Sequence, residues 1–73
     1  IDPTRLAKID QLVGSAYDIA WLNAMIEHHE GAVAIGQEEI ASGQLPDLIA
    51  VARKVVITQQ TEIIEMEKLL DEK

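Results

Sequence analysis

Ser42-Gly43-Gln44-Leu45-Pro46 is the stretch on which the fold turns. Glycine just past an apolar-periodic run is a natural residue for ending a helix. Proline suits the first position of the next helix, where a missing N–H costs nothing. A connection this short makes the flanking helices antiparallel neighbours. Upstream, the helical pattern runs from Ser15 to about Ser42, and downstream from Pro46 to Asp71. Each helix would be roughly 40 Å long at 1.5 Å per residue. Ser15-x-x-Asp18 resembles a capping box with Asp in the place of Glu or Gln. Further out, Asp2-Pro3 reads as an N-cap followed by proline at the first helical position. A short helix from there to Val13 would put Leu6, Ile9, Leu12 and Val13 on one side, with Gly14-Ser15 interrupting it. No stretch alternates apolar and polar residues between turn signals, so no strand is expected. The reading is all-α, one module over residues 1–73, with helices at about 3–13, 15–42 and 46–71.

At 73 residues, a single small module is the ceiling. The formal net charge is −7, from 6 basic and 13 acidic residues. That balance argues against nucleic acid and anionic membrane surfaces, both of which call for clustered Lys and Arg. With no cysteine, a disulfide framework, a thiol nucleophile, iron–sulfur ligation and Cys-containing zinc sites are ruled out. Hydrophobic residues make up 48% of the chain, too many for a disordered tail. Apolar runs are far shorter than the roughly 20 residues that span a bilayer, so no membrane insertion is expected. Ile1-Asp2-Pro3 shows neither an initiator Met nor a signal peptide, which reads as a processed or trimmed chain.

A hairpin of two helices has little interior of its own, and modules of this size rarely stand without staples, metal or association. At 100° per residue, Leu48, Ala52, Val55, Gln59, Met66 and Leu70 share one face of the last helix. Ala50, Ile57 and Ile64 lie nearly opposite. A helix apolar on two sides is usually buried on two sides. The expectation is therefore a homodimer or higher assembly, two hairpins completing a four-helix bundle.

The chemistry concentrates in Met25-Ile26-Glu27-His28-His29-Glu30-Gly31-Ala32. Met25, Ala32 and Gly36 centre the expected inward stripe, flanked by Trp21, Leu22 and Ile40. His28 and His29 fall on its opposite shoulders, about 60° and 40° from Met25. Asn23, Glu27, Glu30, Gln37 and Glu38 form the polar far side. Gly31, Ala32 and Gly36 thin the helix for close approach. On the last helix, Gln59 and Glu62 sit among Val55, Ile63 and Met66, where apolar residues are expected, and Asp18 is a third misplaced polar group. A buried carboxylate must be paired, protonated or metal-bound. Imidazole with thioether is a soft donor set that favours Cu(I), and by the same logic Ag(I). Met25 neighbours both His28 and His29 on the helix surface, and Met66 could supply a second sulfur. Zinc would have to rely on His and carboxylate alone. A di-iron site of the ferritin kind needs Glu-x-x-His on two helices, and Met25 stands three before His28. The alternative keeps both histidines structural, hydrogen-bonded to Glu62, Gln59 or Asp18. No nucleophile–base–orienter set points to an enzyme.

The stretch Trp21-Leu22-Asn23-Ala24-Met25-Ile26-Glu27-His28-His29-Glu30-Gly31-Ala32 resembles the signature of a bacterial family named only as domain of unknown function 305. Ala52, Val56-Ile57, Gln59 or Gln60, Glu62-Ile63 and Met66 fit its second half, and the resemblance covers about Tyr17 to Leu70. It implies a ferritin-like four-helix bundle of two similar two-helix repeats, in secreted or periplasmic proteins. Some members bind copper through methionines and histidines and are linked to copper or silver tolerance. The matching residues here are Met25, His28, His29 and Met66. Ile35 stands where many members have a further Met, and Leu69-Leu70 where Trp-Leu is frequent. The expected function is a non-catalytic Cu(I) or Ag(I) module of the bacterial envelope, with Met25, His28, His29, Met66 and Glu62 as its metal residues. The alternative is a metal-free helical dimerisation or scaffold module.

Overall fold

The computed structural model describes residues 2–72. They form α1 (Pro3–Asp10), α2 (Gly14–Ser42) and α3 (Pro46–Asp71), with no strand among the described residues. Asp2 caps α1 by accepting from the Thr4 backbone N–H at 2.9 Å, with Pro3 opening the helix. α1 is shorter than expected. Its ladder ends in a tight turn, where Gln11 N–H donates to Lys8 O and Leu12 N–H to Ile9 O. Leu12 and Val13 fall outside it, and only Ile9 of its apolar residues is buried.

Gly14 opens α2 one residue earlier than expected. Its φ of +61° lies in the left-handed region, which glycine adopts without a Cβ penalty. The extended Val13 precedes the first turn and no side chain caps it, so the Ser15–Asp18 capping box does not form. At the other end, Gly43 is not left-handed. Its extended backbone (φ −71°, ψ 157°) carries the chain straight toward α3, and its N–H closes the helix on Glu39 O at 2.7 Å. Pro46 takes the first position of α3, as expected.

α2 and α3 run antiparallel and supply nearly all the long-range packing. The side of α2 turned to α3 carries buried Leu22 and Gly36, with half-buried Ile26, His29, Val33 and Ile40 at helical spacing between them. Met25 and Ala32 lie at its edge, so the stripe sits one residue step away from the expected centre. Gly36 is where the helices approach most closely. A Cβ there would stand 2.7 Å from Val56 Cγ2 and 3.5 Å from Ala52 O. Gly31 does not share this role; a Cβ there would meet open space. Ala52, Val56 and Met66 form the buried ridge of α3, with Gln59, Glu62, Ile63 and Leu70 half-buried beside it. Leu48 and Val55, expected on that ridge, are exposed at its margin. Ile57 and Ile64 stand away from it, 65% and 66% exposed.

Asn23, Glu27, Glu30, Gln37 and Glu38 on the back of α2 are exposed, as expected. α1 packs beside them and touches α3 nowhere among the described residues. Ala24, about 160° around the helix from Leu22, is only 2% exposed. Arg5 of α1 pairs with Glu27 of α2 on this side. Among the described residues no further element packs on the hairpin. The Cα trace spans 45 × 27 × 13 Å with a radius of gyration of 14.9 Å. A compact chain of this length would have about 11 Å. The molecule is a slab roughly one helix deep, and no side chain among the described residues is fully buried.

Candidate functional site

The site is assembled by α2 and α3 from two pairs of residues, each one helical turn apart. On α2, His29 Nδ1 lies 2.7 Å from the backbone oxygen of Met25. A carbonyl can only accept, so Nδ1 carries the proton and donates. The ring is thereby fixed with Nε2 toward α3, where Glu62 Oε1 stands 3.2 Å away. The His29 side chain is 12% exposed and that of Glu62 46%. Glu62 thus joins the site at its solvent edge and is not a deeply buried carboxylate.

The helix register places Met66 opposite Met25. His29 meets Glu62, Gly36 meets Val56, and Leu22 and Leu69 line one groove. Stepping one turn back on α2 and one turn forward on α3 brings Met25 level with Met66. Met66 is buried and Met25 half-buried. Two thioether residues thus stand level with each other across the hairpin, one helical turn from the His29–Glu62 pair.

His28 stands apart from this group. Its ring centre is 6.0 Å from that of His29, at 70° between planes, and the residue is exposed. The sequence could not separate the two histidines while the stripe was centred on Met25. Centred on Leu22 and Gly36, it puts His29 in the middle and His28 outside. The small pair Gly36 and Ala52 was the available signal for that centring. Asp18 is exposed and lines a surface groove with Tyr17, Trp21, Leu22 and Leu69. Gln59 is half-buried, one turn before Ile63 on the ridge. Neither belongs to the group around His29.

The donor set fits a soft ion. A histidine ligand commonly gives its second N–H to a backbone carbonyl, which fixes the tautomer and leaves the other nitrogen for the metal. The His29 to Met25 O bond has that form. Among the described residues, no three His, Asp or Glu side chains converge in a way that could hold a metal. What the fold offers is imidazole with thioether, the combination that suits Cu(I).

The model of the domain of unknown function family DUF305 matches residues 1–70. The chain is a DUF305 domain. Over 56 residues it is 36% identical to "Uncharacterized protein L153" of Acanthamoeba polyphaga mimivirus. That match takes in 77% of this chain but 37% of the viral protein, so the DUF305 domain here spans little more than a third of that relative. No solved structure matches it. No helix among the described residues is long and apolar enough to cross a membrane.

Proposed function

We propose that this DUF305 domain binds a soft monovalent ion, Cu(I) or Ag(I), and serves metal homeostasis or tolerance in the bacterial cell envelope. The observation that carries the reading is the Nδ1–H bond from His29 to Met25 O, which leaves Nε2 facing α3, one helical turn from the level of Met25 and Met66. Nε2 of His29 and the sulfurs of Met25 and Met66 would hold the ion. Glu62 would orient the imidazole from the solvent edge, and His28 would add at most a peripheral donor. The envelope placement follows from the family resemblance. Two copies completing a four-helix bundle are the assembly of this reading.

Anaerobic titration with Cu(I) and Ag(I), followed by native mass spectrometry, tests it. One ion per chain is expected, with affinity lost by about tenfold or more in His29→Ala and in Met25→Leu or Met66→Leu. Leu replaces Met with a small packing cost, typically under about 1.5 kcal/mol, so these variants should stay folded. His28→Ala should bind almost as the parent does.

A second reading has its own support. Without metal, His29 already has partners on both sides, its Nδ1–H donating to Met25 O and its Nε2 standing 3.2 Å from Glu62 Oε1, as a structural residue would. A parent chain that takes up neither ion would establish this metal-free dimerisation or scaffold module and sink the metal reading.

A further inference from the structure

One flank of the hairpin carries two continuous seams. On α3, Leu48, Val51, Val55, Thr58, Glu62, Glu65, Leu69 and Glu72 recur in alternating steps of three and four. On α2, Asp18, Trp21, Met25, His28, Ala32, Ile35 and Glu39 do the same. Such spacing is the seam of helices that pack nearly parallel or antiparallel on a partner. The structure sets the two seams side by side. One groove is lined by Trp21 and Leu69, and another by Ala32, Ile35, Leu48, Val51 and Val55. Trp21 is 42% exposed, Ile35 72% and Val51 54%.

Reversing α3 about Gln60 sets Val51 against Leu69, each nine residues from it, and brings Lys54 and Glu65, six and five away, side by side; Leu48, Val55 and Thr58 then face Glu72, Glu65 and Glu62. The N-terminal half of α3 holds Arg53 and Lys54 with one acid, Asp47, and the C-terminal half holds Glu62, Glu65, Glu67 and Asp71 with one base, Lys68, so the two halves carry opposite net charge. Both Lys54 and Glu65 are exposed, and neither has an ion-pair partner among the described residues. We propose that a second copy of this chain covers the open side. Its α3 packs antiparallel on α3 about a two-fold axis at Gln60, with Val51 against the partner's Leu69 and Lys54 beside the partner's Glu65. This rests on the self-association in the functional reading above and adds the face, the orientation and the register. The partner also shuts off the solvent edge at Glu62, since that residue lies on the α3 seam.

Sedimentation velocity over a concentration series at low salt, on the parent and on K54E, E65K and K54E/E65K, tests it. A dimer is expected. Each single change should weaken it roughly three- to tenfold, because two exposed pairs turn from attraction to repulsion. The double change should restore the parent constant within about twofold. Helix content by circular dichroism checks that these surface variants fold. Because the chain lacks cysteine, V51C/L69C offers a second readout: a covalent dimer on mild oxidation. V51C alone should not link, since the two copies of that position would stand roughly 27 Å apart along the helix at 1.5 Å per residue. A monomer at every concentration would overturn self-association and seam together, leaving the seam to helices of another chain or segment. A dimer indifferent to both single changes, or not restored by the double, would overturn the register alone.

Discussion

Gly36 and His29 decide the hairpin at the residue scale. Gly36 lets α2 and α3 close on each other, because any Cβ there would press on Val56. Two opposing effects meet at this position. Alanine in place of glycine gains up to about 1 kcal/mol of helix propensity, while overpacking costs about 1–3 kcal/mol. Gly36→Ala should therefore lower the thermal midpoint. Gly31→Ala, with open space around its added Cβ, should raise it by the propensity term alone. Thermal unfolding of the two variants side by side measures the difference, and equal shifts would mean the close approach is absent. His29 is the histidine that the structure sets beside Glu62, one of the partners the sequence offered. The Met25-x-x-His28-His29 spacing made both histidines candidates. Only the centring of the buried stripe separates them, and that depends on how α3 lies in the groove.

At the scale of the element, the long helices were legible and the short one less so. Periodicity over more than twenty residues averages out single misplacements, and Gly43 and Pro46 bracket the turn chemically. The ends of α2 were harder. Ser15-x-x-Asp18 looks like a cap in one dimension, but the left-handed Gly14 starts the helix ahead of it. The polar far side of α2 was legible, since Asn23, Glu27, Glu30, Gln37 and Glu38 are all exposed; what one dimension hides is that α1 rests beside it, with Ile9 buried and Arg5 on Glu27. An exposed pair of this kind is worth at most about 1 kcal/mol, and α1 buries one apolar residue of its own. Amide exchange should therefore show α1 opening well before α2 and α3. Coincident exchange of all three helices would refute that hierarchy.

For the whole molecule, thinness dominates. A slab one helix deep cannot bury the apolar residues that half of its composition supplies, and thirteen large hydrophobic side chains among the described residues remain exposed. The two-sided character of α3 pointed to this before any coordinates. Ile57 and Ile64, its second face, stand exposed, and Val51, Val55 and Leu69 are exposed along another stripe of the same helix. If association stabilises the fold, the thermal midpoint should rise with protein concentration. A midpoint independent of concentration over about a hundredfold range would show a hairpin that stands unaided.

Trp21 gives this molecule an optical consequence. It is the sole tryptophan of the chain, and it stands on the open side, partly in water. Its indole is therefore a built-in reporter of that surface. Closure by another copy should shift its emission to the blue and shield it from acrylamide. Dilution should return both signals to those of a wet ring.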